Sequence, residues 1–172
     1  MKRLFFLFFF LFIAIPASAQ EPQEPMQEPV PGWRFPDQQD FYGKWELYRK
    51  MIPSPFHVRA DFNGDGLPDD AWILLKTDGP GWGLFVFLGQ PGGEANPVQL
   101  AESTSDDAQN RALQVAPPGH YLIIDEFGKK KDIILTMPAL NLFIYGGPNL
   151  FFYWDAASGG FRKGRALAMP KT

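Results

Sequence analysis

Trp82-Gly83-Leu84-Phe85-Val86-Phe87-Leu88 is apolar or aromatic at every position. In a strand, residues 82, 84, 86 and 88 face one way while Phe85 and Phe87 face the other, so both faces must be covered. Asn149 to Trp154 repeats the pattern. A sheet built on such strands needs a layer on each side, supplied by a second sheet or a helix. From Phe56 onward the chain is cut into short runs of this size. They are Phe56 to Ala60, Ala71 to Lys76, Val98 to Glu102, Leu113 to Ala116, Tyr121 to Glu126, Asp132 to Met137, Leu140 to Tyr145 and Phe161 to Ala168. Glycine, proline and Asn/Asp turns separate them. The expectation is a mainly β fold, a single antiparallel sandwich or curved-sheet domain over residues 37–172.

One helix is expected, at the N-terminal side of that domain. Asp37 or Asp40 can cap it, Phe41, Trp45 and Tyr48 recur at helical spacing, and Pro53 lies beyond its end at Met51. Before it, Gln20 to Pro36 repeats a Gln-Glu-Pro theme, which reads as an exposed, semi-rigid linker. The first residues read as a secretory signal. Lys2 and Arg3 precede the apolar run Leu4 to Ile15, and Ala17-Ser18-Ala19 offers a cleavage site. The mature chain would begin at Gln20 and be periplasmic or secreted.

The chain has no cysteine, so stability in an oxidising compartment falls to packing or a metal. Its formal charge of −3 becomes −5 without the signal, whose only charges are Lys2 and Arg3. A net acidic surface disfavours nucleic acid. No later segment is long and apolar enough to span a membrane.

Residues 61–70, Asp-Phe-Asn-Gly-Asp-Gly-Leu-Pro-Asp-Asp, place oxygen side chains at alternate positions, Asp61, Asn63 and Asp65, with Asp69 following. A hard cation such as Ca²⁺ takes six to eight oxygens, and a curled loop delivers them in this way, the Leu67 carbonyl included. The loop is no EF-hand, because the twelfth position, where a bidentate glutamate is required, is Trp72. With Asp61, Asn63, Asp65, Gly66 and Asp69, the strand Ala71 to Leu75 and the strand ending Phe85-Val86-Phe87-Leu88-Gly89, it resembles the calcium loop of FG-GAP and VCBS-type repeats. The resemblance implies one Ca²⁺ held by Asp61, Asn63, Asp65, the Leu67 carbonyl and Asp69. Propellers of that family need several blades, and a single loop does not make one. The terminal segment Phe151 to Phe161 resembles the closing hairpin of small exported bacterial proteins that carry one such loop.

Catalytic signatures are few. His57 and His120 are the only histidines, so a histidine-rich zinc site is excluded. There is no Gly-x-Ser-x-Gly elbow, Walker loop or dinucleotide fingerprint. Trp33, Trp72, Trp82 and Trp154, with Tyr145 and Tyr153, suit an aromatic face for a protein or glycan partner. The leading reading is therefore a non-enzymatic exported domain with one structural Ca²⁺. The alternative is a small secreted hydrolase using a carboxylate pair among Glu46, Asp125, Glu126 and Asp155.

Overall fold

The computed structural model describes residues 28–93 and 95–167. The expected signal, residues 20–27 of the expected linker, Glu94 and the last five residues lie outside that range. Among the described residues the elements run β1 (Trp33–Arg34), α1 (Lys44–Tyr48), β2 (His57–Ala60), β3 (Asp69–Lys76), β4 (Trp82–Leu88), β5 (Asn96–Ser103), β6 (Arg111–Ala116), β7 (Gly119–Asp125), β8 (Lys130–Leu135), β9 (Ala139–Ile144), β10 (Leu150–Asp155) and β11 (Gly160–Ala166). The fold is mainly β, with two antiparallel sheets. One has the order β1-β3-β4-β5 with β2 also pairing β3; the other is β6-β9-β10-β11-β7-β8.

The two-faced apolar strands sit where their composition requires. Leu84 and Val86 of β4 are fully buried with Ile73, Leu75, Leu113, Leu140, Leu142 and Phe152, a cluster drawn from both sheets. Phe85, on the opposite face, packs with Leu74 and Trp33. In β10 the two faces likewise feed separate clusters, Phe152 the shared core and Phe151 a second one with Tyr121 and Ile123.

The cover on the outer face of β4 comes from the segment expected to be linker. Trp33 pairs with Lys76 on β3 and is 8% exposed. Its ring meets Phe85 edge-on, with centroids 5.1 Å apart. Gly83 makes room for it, since a Cβ there would lie 2.9 Å from the indole. Proline density sets the backbone's preference, but the apolar gain of covering Phe85 decides where this end of the segment rests.

No single helix runs over Asp37 to Met51 as expected; the segment holds a short 3-10 turn and, separately, the five residues of α1. A 3-10 turn at Gln38–Asp40 is capped by Asp37, whose carboxylate accepts from the Gln39 amide at 2.7 Å. Gly43, at φ +59°, then breaks the path before the five residues of α1. The aromatic stripe docks nonetheless. Trp45 is fully buried, and its Nε1 donates to the Arg111 carbonyl at 2.8 Å. Asp40 is held by a bidentate pair with Arg34 at 2.7 and 2.9 Å.

Candidate metal centre

The acidic loop connects β2 to β3 and is wound on its own side chains. Asp61 accepts from the Gly64 and Gly66 amides at 2.7 and 2.9 Å. Asn63 Oδ1 accepts from the Asp65 amide at 3.0 Å, and Asp65 Oδ1 from the Leu67 amide at 2.8 Å. Gly64 and Gly66 take φ of +78° and +84°, which the curl requires. These are the local bonds by which Asx residues reverse a chain, and they bring Asp61, Asn63, Asp65 and Leu67 around one turn.

Asp69 forms the floor of the loop. It is fully buried, with Oδ2 accepting from the Phe62 amide and Oδ1 from the Gly89 amide, both at 2.8 Å. Burial pushes its carboxyl above the ordinary value, the two amides pull it back, and the Asp65 charge adds to the push. Among the described residues no Lys, Arg or His lies within ion-pair distance of Asp61, Asp65 or Asp69, although ten such pairs occur elsewhere. Repulsion within the loop is thus unrelieved by any basic side chain among the described residues.

The donor set fits a hard cation in kind: carboxylates, one amide oxygen and one carbonyl, with no nitrogen or sulfur. Each carboxylate oxygen that accepts one amide keeps a further lone pair. As the side chains stand, no three His, Cys, Asp or Glu among the described residues converge on one point. Asp65 Oδ2 is instead bonded to Asn63 Nδ2 at 2.8 Å, a neutral partner. The loop also leans on the second sheet, because Gly64 lies so close under the Met137 thioether that a Cβ would overlap it.

Asp70, next to the floor, belongs to a different group. It accepts from His57 Nε2 at 2.7 Å and pairs with Arg59 at 3.2 Å. The His57 ring stacks on Trp72 with centroids 4.0 Å apart, and Phe35 meets Trp72 edge-on at 4.6 Å. Trp72, Phe87 and Phe35 therefore leave an aromatic strip partly open on the outer face of the first sheet, above the buried Trp33 and Phe85. The other aromatics named from sequence are scattered. Trp82 is buried and donates to Asp107 at 3.1 Å, Trp154 packs on Phe161, and Tyr145 lies under the Lys44 ammonium at 3.7 Å.

The carboxylates considered for hydrolysis are all engaged. Asp125 pairs with Lys131 at 2.8 Å, Asp155 with Arg162 at 3.1 Å, Glu126 with Arg162 at 3.9 Å, and Glu46 with Arg49 at 3.4 Å. Lys131 holds the Asp125 carboxyl below its ordinary value, and Ser158 and Arg162 do the same to Asp155. Ser54 lies near His57 along one groove, yet its buried hydroxyl makes no hydrogen bond. Sequence reasoning missed two contributors to the loop, Gly89 and Met137; the strand ending at Gly89 was a signal for the first. Comparison with protein-family models, with curated proteins and with solved structures gave no match to this chain.

Proposed function

We propose that this chain is an exported, non-enzymatic two-layer β domain, tied together by one Ca²⁺ in the Asp61–Asp69 loop, that binds a protein or glycan through an aromatic face. The observation that carries the reading is the Asp69 floor: a fully buried carboxylate, raised in pKa, beside two more carboxylates with no basic partner among the described residues. A divalent cation relieves both the burial and the repulsion. Asp61, Asn63, Asp65, Asp69 and the Leu67 carbonyl would hold the ion, which supplies charge neutralisation and cross-linking of the loop, not chemistry. Export follows from the signal-like first residues and fits the calcium-rich side of a membrane.

The binding face we assign to Trp72, Phe87 and Phe35 on the first sheet. Flat, partly open aromatics suit a sugar ring or a partner's apolar side chains. The hydrolase alternative has less support, because a general acid needs a raised pKa and Asp125 and Asp155 are pushed the other way. Calorimetric titration with Ca²⁺, followed by capture from envelope extract with wild type and Trp72→Ala, tests the reading. Heat of binding and a partner lost in Trp72→Ala support it. Absence of heat rejects the ion, and equal capture by both proteins rejects the face.

A further inference from the structure

At one margin the segment leading into β2 is joined to β6 by a backbone bond, Leu113 N to the Pro55 carbonyl at 2.8 Å. Beyond it β2 and β6 part, and a groove of about 640 Å³ opens between them. Its walls are Ile52, Val58, Leu113 and Val115, with His57 and Arg59 along one rim. Val115 shares a face with the fully buried Leu113, yet it is 39% exposed because the layers have splayed apart there.

Backbone parity shows what the rims present. The Phe56 carbonyl accepts from Ile73, so Phe56, Val58 and Ala60 address β3, and His57 and Arg59 address the groove. The Asn110 carbonyl accepts from Tyr145, so Ala112, Gln114 and Ala116 address β9, leaving Leu113 and Val115 to the groove. Among the described residues β2 pairs only with β3 and β6 only with β9, so the amides of His57, Arg59 and Val115 and the carbonyl of Leu113 face away from both ladders. Open edges of this kind are usually blunted. The β8 edge carries Lys130, Lys131 and Asp132, and the β5 edge carries Pro97. Within β2 and β6 themselves there is neither proline nor lysine; Pro53, Pro55 and Pro117 lie beyond the strand ends.

We propose that this groove is a strand-addition site for an extended, proline-free peptide of another protein, which pairs with β2 and β6 and closes the seam. The donors and acceptors on both rims recur with the period of a strand, which the alternating N–H and C=O groups of an extended peptide match. The titratable side chains lining the groove are His57 and Arg59, both paired with Asp70 behind the rim; the Arg59 side chain is 61% exposed, so an acidic residue at the open end can share its guanidinium with Asp70. The chain's own Gln20 to Pro36 stretch is a poor occupant, since prolines 22, 25, 29, 31 and 36 remove amide donors. A second copy offers the blunted β5 and β8 edges and its own β2 and β6 rims, and pairing between those rims is the self-association that the test below distinguishes. The proposal stands on pairing geometry and does not depend on calcium.

The test uses the full chain and a positional set of short synthetic peptides alternating threonine and valine with one glutamate. Saturable binding by at least one member, with hydrogen-exchange protection appearing at His57, Arg59 and Val115, is expected. N-methylation of that peptide's alternate amides should weaken it about tenfold or more. Val115→Pro removes a groove-facing donor together with the side chain on the wall, and should weaken binding more than Val115→Ala, which removes the side chain alone, while the melting temperature holds. No binding by any member overturns the proposal, as does protection of these amides in the peptide-free monomer or in a self-associated dimer. Equal binding by the N-methylated peptide also overturns it, and this control needs no variant to fold.

Discussion

The Gly89 amide donates to Asp69 Oδ1 at 2.8 Å, joining the end of β4 to the floor of the acidic loop. The approach is close enough that a Cβ on Gly89 would stand 2.5 Å from the Pro68 carbonyl oxygen. Gly89→Ala must therefore push the loop away from the strand and leave a buried carboxylate one donor short. The expected cost is about 1 to 3 kcal/mol, the range for an unsatisfied buried polar group, read by chemical denaturation. Melting unchanged from wild type would mean the loop is not seated on β4.

Trp33→Ala tests the outer cover. It removes the indole from Phe85 and leaves Gly83 facing a void, at about 3 kcal/mol. Gly83→Val should displace the same ring. If neither change moves the denaturation midpoint, the Val30 to Phe35 segment is only resting on the sheet.

Leu84→Ala and Val86→Ala probe the face shared by the two sheets. Both side chains are fully buried. The expected losses are about 2 to 4 and about 1 to 3 kcal/mol respectively. Because the core unites both sheets, one cooperative transition should move; two separate transitions would contradict a shared core.

The Arg34–Asp40 pair gives a pH dependence with a definite sign. Burial pushes the Asp40 carboxyl up, but the Arg34 bond and the Asp37 amide outweigh it, and the net shift is downward from 3.8. A lowered folded pKa means stability that is present above the unfolded value and lost as pH falls through the folded one. Arg34→Ala should cost about 2 kcal/mol at neutral pH, less than a fully buried pair because the guanidinium keeps some exposure. The gap to wild type should narrow below about pH 4, where the unpaired carboxylate can protonate. A gap that is constant with pH would assign the loss to packing alone.

Much of the strand pattern was legible in the sequence because turn chemistry and alternation are local. Trp82–Leu88 is found at its expected bounds, and most other strands lie within two residues of theirs. What local signals did not carry was long-range. Trp33 became a strand residue because of Phe85, roughly fifty positions away. The single helix expected over Asp37 to Met51 is not found, because Gly43 turns the chain before Trp45 reaches Arg111. The loop's oxygen residues were readable from spacing, whereas Gly89 and Met137 join it only through the fold. The aromatic count said nothing of exposure: Trp72 is partly open and Trp82 is not.

The melting temperature in calcium against chelator, after thorough dialysis, tests the central claim most directly. At a free calcium level about a hundredfold above the dissociation constant, linkage gives roughly 2.7 kcal/mol. For a domain of this size that is a rise of about 5 to 10 °C. Asp65→Ala should abolish the rise, because it removes a charged ligand from the middle of the curl. Asp70→Ala should largely keep it, because Asp70 is committed to His57 and Arg59. Identical melting curves in calcium and in chelator would contradict the account and leave the loop an acidic turn.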